Sequence, residues 1–306
     1  MHILVTGGAG FIASNIVDAY ISLGHKVTVV DNLSTGSIDN LNSKAHFVKM
    51  DITADAILDL FMSERFDILN HHAAQMDVRF SVSDPLFDAK ENIIGGLNLY
   101  TAAQKSGVKK IIFASSGGAI YGDNVAIPSD EDSLLEPCSP YGIAKLTNEK
   151  YLLFYQNTYN IDVICLRYAN IYGPRQSFKG EAGVIAIFIN KLLKGNQPII
   201  NGDGKNTRDY VYVDDVIKAN VLALNDNMKG IYNIGTEIET DVNQIFNNLK
   251  ELIGSDCEEV HIEAKQGEQR VSCISYKKIL REHNWSPKTK LIDGLKKTID
   301  YFKKNY

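Results

Sequence analysis

The chain has 306 residues and a formal net charge of −5, with 44% hydrophobic and 23% charged residues. This is the composition of a folded protein of one large or two modest domains, and it excludes a disordered chain. The small negative charge argues against bulk electrostatic binding of nucleic acid or of an anionic membrane. No run approaches the roughly 18 apolar residues of a membrane span, and the first residues lack the pattern of a secretory signal. We therefore expect neither a nucleic-acid nor a membrane partner.

The chain has four cysteines, and none of them form a C-x-x-C pair. They are Cys138, Cys165, Cys257 and Cys273. This spacing gives no zinc or redox motif, so we expect no metal site. We interpret the cysteines as reduced thiols, which predicts a cytoplasmic location.

The first half of the chain alternates short β-rich runs with longer helical patterns. Strands are predicted at Ile3–Val5, Lys26–Asp31, Phe47–Asp51, Ile68–Asn70, Lys110–Ala114 and Asp162–Tyr168. Helices are predicted at Ile12–Leu23, Ile57–Glu64, Ala89–Lys105 and Tyr141–Thr158. Strands separated by helices indicate βαβ units, and right-handed crossovers favour an α/β fold with a doubly wound parallel sheet of the Rossmann type.

The second half is less regular. Helical patterns occur at Val184–Leu193, Asp214–Leu224, Val242–Leu252, Tyr276–Glu282 and Leu291–Tyr301. We expect a Rossmann domain of residues 1–170 plus about 208–236, and a smaller C-terminal substrate domain of residues 171–207 and 237–306. The cleft between two such domains is the expected ligand site.

A glycine-rich segment follows the first predicted strand and opens the first predicted helix. Gly7-Gly8-Ala9-Gly10 with Ala13 fits the pattern G-x-G-x-x-G/A, in which glycines let backbone N–H groups approach a pyrophosphate. Asp31 ends the next strand, about 20 residues past the loop, where an acid binds the adenosine ribose. Asn32 follows, with no arginine directly after it to hold a 2′-phosphate, so the pattern favours NAD over NADP.

Tyr141 and Lys145 form a Y-x-x-x-K pair at the start of a predicted helix. The i, i+4 spacing places both side chains on one face. A free phenol has a pKa of about 10 and is a weak base at neutral pH. We expect the lysine ammonium, together with a positive nicotinamide ring, to lower the pKa of the tyrosine by roughly 1 to 3, so that the phenol exchanges a proton with a substrate hydroxyl.

Further segments accompany these two motifs along nearly the whole chain. They are Asp31–Gly36, Asp51-Ile52, His72–Gln75, Ser115–Gly122, Ser139–Gly142, Leu166–Asn170, Gly202–Gly204, Arg208–Val211 and Trp285–Pro287. Together they resemble the UDP-glucose (UDP-galactose) 4-epimerases of the extended short-chain dehydrogenase/reductase family. The resemblance implies reversible oxidation of a UDP-sugar at C4 through a transient 4-keto sugar, with NAD regenerated in each turnover.

The resemblance assigns a set of residues to NAD. They are Gly7, Gly10, Phe11, Ile12, Asp31, Asn32, Ser34, Gly36, Asp51, Ile52, Ala73, Ala74, Gln75, Asn92, Ser115, Tyr141, Lys145 and Tyr168. The adenosine half would lie beside Asp31–Gly36, and Asp51 and Ile52 would flank the adenine.

One position departs from the family pattern. The family usually has Ser or Thr four residues before the tyrosine of its V-Y-G segment, and here that position is Gly117. Ser116 or a water would then supply the hydroxyl, and we predict Ser116 as the third catalytic residue beside Tyr141 and Lys145. Dehydratases of the group carry Asp-Glu in this segment and decarboxylases a Glu. Gly117-Gly118 has neither carboxylate, which favours epimerisation over elimination of water.

The resemblance also assigns residues to the UDP-sugar. They are Ser116, Tyr141, Asn170, Arg208, Lys265, Glu268, Arg270 and Ser272. Asn170 would reach the diphosphate or the sugar, and Arg208 would face the diphosphate, where a cation is needed. Lys265 or Arg270 would hold phosphate in place of the family's arginine, and Glu268 would hold the uridine ribose.

Ser272 occupies the position of a gatekeeping side chain beside the C2 substituent of the sugar. A serine leaves room there, which predicts that UDP-N-acetylglucosamine and UDP-N-acetylgalactosamine are accepted as well. Two alternatives stay open. One is another NAD-dependent nucleotide-sugar enzyme, such as a UDP-glucuronate 4-epimerase, and the other is a non-catalytic NAD-binding regulatory module.

Relatives pair two helices of each subunit into a dimeric four-helix bundle. The matching segments are Ala89–Lys105 and Tyr141–Thr158. The resemblance therefore implies a homodimer whose apolar contacts come from Tyr151, Leu152, Phe154 and Tyr155.

Overall fold

The structure, a computed structural model, describes residues 1–123, 125–178, 183–264 and 269–305. The strands are β1 His2–Thr6, β2 Lys26–Asp31, β3 His46–Lys49, β4 Ile68–His71, β5 Lys110–Ser116, β6 Asp162–Tyr168, β7 Asn170–Tyr172, β8 Ile200–Asn201, β9 Thr207–Tyr212, β10 Gly230–Ile234, β11 Glu239–Asp241, β12 His261–Ile262 and β13 Val271–Ser272. The helices are α1 Phe11–Ser22, α2 Ile57–Glu64, α3 Val78–Ser83, α4 Pro85–Ala89, α5 Gly95–Ser106, α6 Pro140–Tyr159, α7 Val184–Leu193, α8 Val213–Leu222, α9 Val242–Ile253, α10 Lys277–His283 and α11 Leu291–Asn305. A π-helical turn, Lys90–Ile94, joins α4 to α5.

Seven strands form the main sheet, in the order β10-β6-β5-β4-β1-β2-β3. β1 pairs in parallel with β2 and β4, while β2 pairs in parallel with β3, and β4 with β5. The order 3-2-1-4-5-6 is that of the Rossmann fold, and it reverses between β1 and β4, where such folds bind their ligands. The predicted α/β doubly wound sheet is confirmed.

Apolar runs in the central strands create the core of this sheet. Leu4, Leu69 and Ile111 lie on neighbouring strands and are fully buried, and Phe61 of α2 and Leu99 of α5 cover them. Strands that are buried on both faces appear in a sequence as short continuous apolar runs, and these runs allowed the strands to be predicted.

The chain divides into two compact units. The Rossmann unit comprises Met1–Tyr121, Leu135–Arg167 and Ile217–Tyr232, and the second unit comprises Gly122–Leu134, Tyr168–Val216 and Asn233–Tyr306. In the second unit, β9 pairs with β7, β11 and β13. Within the described ranges no helix has both the length and the apolar character to cross a bilayer.

The segment predicted as helical, Ala89–Lys105, is helical throughout, but its first turns differ from a regular α-helix. The segment begins as α4 at Pro85, passes through the π turn, and becomes α5 only at Gly95. The wider turn frees the carbonyl of Asn92, which accepts a hydrogen bond of 2.9 Å from Asn148 Nδ2 on α6. This hydrogen bond from α6 thus replaces the backbone N–H that would donate to the same carbonyl in a regular α-helix.

Two of the four residues predicted for a dimer contact face inward instead. Leu152 and Tyr155 are buried in the core of the Rossmann unit. Tyr151 and Phe154 are 40% and 50% exposed. A buried stripe and an exposed stripe alternate on any helix that packs on a sheet, and only the exposed one is available to a partner.

Candidate active site

The glycine loop joins β1 to α1 by a tight turn that only glycine permits. Gly7 has a φ of +71°, and a Cβ on it would lie 2.7 Å from the backbone nitrogen of Ala73. Gly10 donates from its backbone N–H to the Gly7 carbonyl over 2.9 Å. Gly10 is also the N-cap of α1, where no side chain of the described residues caps the helix. Phe11 and Ile12 begin the helix, so its N-terminus is available to an anion such as a pyrophosphate.

Asp31 ends β2 beside this loop and fixes it. Its Oδ2 accepts from the backbone N–H of Ala9 over 3.0 Å, and its Oδ1 accepts from that of Leu33 over 2.8 Å. Gly36 packs so closely on Ala9 that an added Cβ would lie 2.9 Å from the Ala9 Cβ. The segment after β2 is therefore held against the glycine loop, as the predicted adenosine site requires.

The next strand end contributes Asp51, which is linked to Asn32. Asn32 Nδ2 donates to Asp51 Oδ2 over 2.8 Å, and Asn32 Oδ1 accepts from the backbone N–H of Ser34 over 2.9 Å. Burial opposes ionisation of Asp51, but hydrogen bonds from Thr53 and Asn32 outweigh it and lower the pKa of that carboxyl. Ile52 is buried in the core against α5. The structure thus brings Asn32, Ser34 and Asp51 together.

The segment after β4 pairs with the π turn. Gln75 donates from its backbone N–H to Asn92 Oδ1, and Asn92 Nδ2 donates to the Gln75 carbonyl, each over 2.9 Å. Ala73 donates from its backbone N–H to the Thr6 hydroxyl over 3.2 Å, and Ala74 lies between Ala73 and Gln75. These predicted cofactor residues line the reversal point between β1 and β4. Backbone groups, a helix N-terminus and an acid thus occupy the places a dinucleotide needs, so the residues present fit NAD.

The position of Tyr141 is fixed by the start of α6. Ser139 is the N-cap and accepts from the backbone N–H of Gly142 over 3.1 Å, and Pro140 occupies the first helical turn. Both are strong helix-start signals, so the sequence places the phenol in the first turn. The hydroxyl of Ser116, which ends β5, hydrogen-bonds Tyr141. Ser116 therefore brings the predicted hydroxyl to the phenol, although the position counted back from Tyr121 is Gly117.

Lys145 lies one turn along α6. Its Nζ donates to the Ala114 carbonyl over 2.8 Å and is 5.6 Å from the centre of the Tyr141 ring. Burial lowers the pKa of Lys145 to about 8, although the charges of Asp88 and Glu149 act to raise it. The ammonium thus lies beside the phenol, as predicted.

The protein's own residues do not lower the pKa of Tyr141, so the predicted lowering depends on the charge of a bound nicotinamide ring and stays a prediction. Burial raises the pKa of Tyr141 to about 12, the Ser116 hydrogen bond acts against this, and the charge of Asp88 adds to it. A buried phenolate loses its hydration, and this cost exceeds what one hydroxyl returns. The prediction included a second positive charge, on the nicotinamide ring, which the protein's own residues do not provide.

Glu149 and Arg167 form a buried ion pair beside Ser115 that the sequence analysis did not predict. Arg167 Nη2 and Glu149 Oε2 are 2.7 Å apart, and both side chains are at most 2% exposed. Ser115 donates to Glu149 Oε1 over 2.6 Å, so its hydroxyl points to the buried pair. Glu149 follows Lys145 by four residues, and this spacing on the helix of Tyr141 was the available signal.

The second unit places several predicted substrate residues around β9. Ser272 on β13 and Thr240 on β11 are both in register with Arg208, and Asn170 on β7 is in register with Tyr210. Residues two apart on a strand share a face, so Arg208, Ser272 and Asn170 belong to one face of this sheet. Ser272 is buried and Asn170 exposed.

Arg270 and Tyr168 are two further residues that were predicted for the site. The Arg270 guanidinium forms two 2.9 Å hydrogen bonds to the Asp203 carboxylate, so phosphate binding would have to compete with this exposed ion pair. Tyr168 is buried at the end of β6. The predicted Lys265 and Glu268 lie outside the described residues. The described residues also contain no group of three or more His, Cys, Asp or Glu side chains placed to hold a metal ion.

Comparison with known proteins shows the group to which this site belongs. Residues 3–235 match the NAD dependent epimerase/dehydratase family. The chain is 40% identical over 309 residues to the UDP-glucose 4-epimerase of Mycolicibacterium smegmatis, with 99% of each chain covered. It is similar to the crystal structure of the Thermotoga maritima UDP-glucose 4-epimerase with UDP-glucose (TM-score 0.98, 48% identity, 100% and 99% coverage). The Thermus thermophilus UDP-glucose 4-epimerase in complex with NAD is also similar (TM-score 0.94, 39% identity, 99% of each chain).

These matches span the chain from end to end and confirm the resemblance found in the motifs. The family match covers the glycine loop, Asp31 and the Tyr141–Lys145 pair, which are the residues that fit NAD. The chain belongs to the NAD dependent epimerase/dehydratase family, among the extended short-chain dehydrogenases/reductases.

Proposed function

We propose that this chain is a UDP-hexose 4-epimerase that interconverts UDP-glucose and UDP-galactose. The observation that carries the proposal is the Tyr141 hydroxyl, hydrogen-bonded by Ser116 and adjoined by the Lys145 ammonium, in the same unit as a complete dinucleotide cradle. Full-length similarity to proteins named UDP-glucose 4-epimerase supports the substrate class. The four cysteines, none of them in a disulfide, agree with a cytoplasmic location.

The Rossmann unit would hold the cofactor through its backbone and one acid. The glycine loop and the N-terminus of α1 would bind the pyrophosphate, and Asp31 would bind the adenosine ribose. When bound, NAD supplies reversible oxidation at the sugar C4 and a positive ring charge near the phenol. Several anchors at the nucleotide would keep the cofactor bound through every turnover.

The proton chemistry falls to Tyr141. As phenolate it would take the proton of the sugar 4-hydroxyl. As phenol it would return that proton to the 4-oxygen after the bound 4-keto sugar has rotated. Lys145 would stabilise the phenolate, and Ser116 would hold the 4-oxygen in place. The keto sugar must rotate between the two half-reactions, so Arg208 and Asn170 would anchor the diphosphate while few contacts hold the pyranose.

The experiment that tests this function compares three purified proteins. We expect Tyr141→Phe to lower the rate of UDP-galactose conversion by about 10²–10⁴-fold, because general acid–base catalysis is lost. Ser116→Ala should fall between this variant and the wild type. Tyr159→Phe, an exposed tyrosine at the end of the same helix, is the control and should keep the wild-type rate. Undiminished conversion by Tyr141→Phe would contradict the proposal.

Activity on N-acetylated sugars is a second candidate function, favoured by Ser272. This small side chain is in register with Arg208 on the face proposed to receive the diphosphate. A bulky residue there would exclude a C2 acetamido group, whereas a serine admits it. Wild-type turnover of UDP-N-acetylglucosamine that Ser272→Tyr abolishes, with UDP-galactose still converted, supports this extension. Absence of wild-type turnover rejects it.

We further propose a homodimer formed through α6 and the segment before α5. Ile143, Tyr151 and Phe154 form an exposed apolar stripe on α6, and Leu86 and Ile94 are 84% and 55% exposed. A contiguous patch of this kind on a folded unit is typical of an interface. Light scattering at twice the chain's mass supports a dimer, and the mass of one chain contradicts it.

A further inference from the structure

Asp88 is a buried carboxylate in α4 that the proposed mechanism does not use. It is 1% exposed. Its Oδ1 accepts one hydrogen bond from Gln75 Nε2 and another from Asn92 Nδ2, each of 2.9 Å. A carboxylate at this depth is costly unless it is hydrogen-bonded and near a cation. Both conditions hold here, because the charge of Lys145 also acts on it.

Asp88, Gln75 and Asn92 form a closed set of hydrogen bonds. The backbone of Gln75 and the side chain of Asn92 already exchange two bonds, as paired strands do. Asp88 strengthens this pairing because it accepts hydrogen bonds from the side-chain amides of both residues. The segment after β4 is therefore fixed to the π turn, and both residues it fixes belong to the predicted cofactor path.

The same set continues into the helix that carries the phenol. The Asn92 carbonyl accepts from Asn148 Nδ2 over 2.9 Å, and Asn148 Oδ1 accepts from the Tyr100 hydroxyl over 2.7 Å. Asn148 follows Lys145 by three residues on α6. Hydrogen bonds therefore connect Asp88 to the predicted cofactor path on one side and to the helix of the catalytic pair on the other.

We propose that Asp88 is a positioning residue of the active site. It clamps Gln75 and Asn92 beneath the cofactor path, and it presents a negative charge to Tyr141 and Lys145. The inference rests on the proposed function for its kinetic readout, whereas the amount of bound NAD tests it independently of any substrate.

The charge of Asp88 has a direction that can be measured. It raises the pKa of Tyr141 and that of Lys145. Among the described residues, Ser116 also hydrogen-bonds Tyr141, and Glu149, His71 and His72 interact electrostatically with Lys145. Removing the Asp88 charge leaves those groups in place, so both pKa values should fall together.

The test separates the hydrogen bonds from the charge. Asp88→Asn keeps an acceptor oxygen and loses the charge. It should therefore retain NAD, and both limbs of its pH–rate profile should shift to lower pH by about half to one unit. Asp88→Ala loses both and should carry about tenfold less NAD after purification. Asp59→Asn, which removes an exposed acid on α2, should change neither quantity.

Two results would overturn the proposal. One is an Asp88→Ala variant whose NAD retention and pH–rate profile equal those of the wild type. The other is an Asp88→Asn variant whose rate falls while its pH–rate profile does not shift along the pH axis.

If Asp88→Ala does not fold, Gln75→Met removes the other end of the clamp. This variant should retain less NAD, and its pH–rate profile should not shift. Unchanged NAD retention in that variant contradicts the clamp. A wild type that retains NAD but converts no UDP-galactose refutes the proposed function instead, and the NAD contents of the variants still decide the clamp.

Discussion

The Rossmann unit is built on apolar strands that lie side by side, whereas the second unit combines an apolar core with buried carboxylates that hold its loops. Leu4, Leu69 and Ile111 lie side by side on parallel strands and are completely buried. In the second unit, Asp209 and Asp215 are 1% and 0% exposed and accept hydrogen bonds from distant parts of the chain. Both units have apolar cores, and these two carboxylates add connections between segments of the second unit that are far apart in the sequence.

Asp209 shows how such a carboxylate organises its surroundings. Its oxygens accept the backbone N–H of Thr236 over 2.9 Å and the hydroxyl of Thr236 over 2.6 Å, and also the backbone N–H of Glu237. Glu237 has a φ of +60°, which an L residue rarely adopts without support. Asp215 likewise accepts the backbone N–H groups of Lys288 and Thr289. Each of these carboxylates satisfies several backbone N–H groups at once, so we expect the second unit to be sensitive to substitutions at these two positions.

The largest expected effect concerns the buried ion pair of the Rossmann unit, Arg167 with Glu149. Arg167→Met leaves Glu149 buried without its partner and should lower the free energy of unfolding by about 3–5 kcal/mol. Arg167→Met combined with Glu149→Leu should recover most of this loss, because no unpaired charge remains. Urea titration of both variants, with the exposed Arg281→Met as control, measures the difference. Equal stabilities of the single and double variants would contradict it.

Asp209→Ala should have the next largest effect. It removes the acceptor of three backbone N–H groups, those of Thr236, Glu237 and Ile274. This should cost about 2–3 kcal/mol of the free energy of unfolding. Asp256→Ala, an exposed acid of the same unit, should have almost no effect. Denaturant titration checks both. A loss confined to a few tenths of a kcal/mol would mean that the carboxylate does not organise this unit.

The pH dependence of activity should come from the Rossmann unit. Burial lowers the pKa of Lys145 to about 8, against the charges of Asp88 and Glu149. The ammonium is the active form, so kcat/KM should fall by up to about tenfold per pH unit above that value. In Lys145→Arg the guanidinium stays charged, and any residual activity should show no such fall. A wild-type rate that is flat to pH 10 would contradict the assignment.

The smallest expected effect belongs to the apolar core. Ile111→Val removes one methylene from a packed site and should cost about 0.5–1.5 kcal/mol of the free energy of unfolding. Thermal and urea unfolding would show it, with Val260→Ala at an exposed position as control. A loss as large as that of Asp209→Ala would remove the contrast between the two units.

Local signals explain what could be predicted. The strand Lys26–Asp31, the glycine loop and the start of α6 each have a continuous pattern of apolar, glycine or capping residues, and the structure reproduces them. The shortest strands of the second unit contain only two or three residues, too few for an alternating pattern to appear. α3 and α4 were missed as well, although Asp77, Asp84 and Pro85 are ordinary helix-start residues.

The parts of the site that were missed depend on burial and on distant contacts. The pKa of Tyr141 follows from how deeply α6 packs, and the roles of Asp88 and Arg167 follow from partners 13 and 18 residues away. Ser116 could be predicted because it precedes Gly117, which lacks the hydroxyl of the family pattern. Its hydrogen bond with Tyr141 could be seen only in the structure. Residue types and their spacing can therefore name the chemistry, but the electrostatics of the site emerge only from packing.

The most direct test of the proposed function is to incubate the purified protein with UDP-galactose, without added NAD, and to follow UDP-glucose. We predict that UDP-glucose forms and that the same final mixture is reached from either sugar, because the cofactor is carried tightly and regenerated in each turnover. If folded protein with bound NAD gives no UDP-glucose, and added NAD does not restore it, the proposed epimerase activity is contradicted.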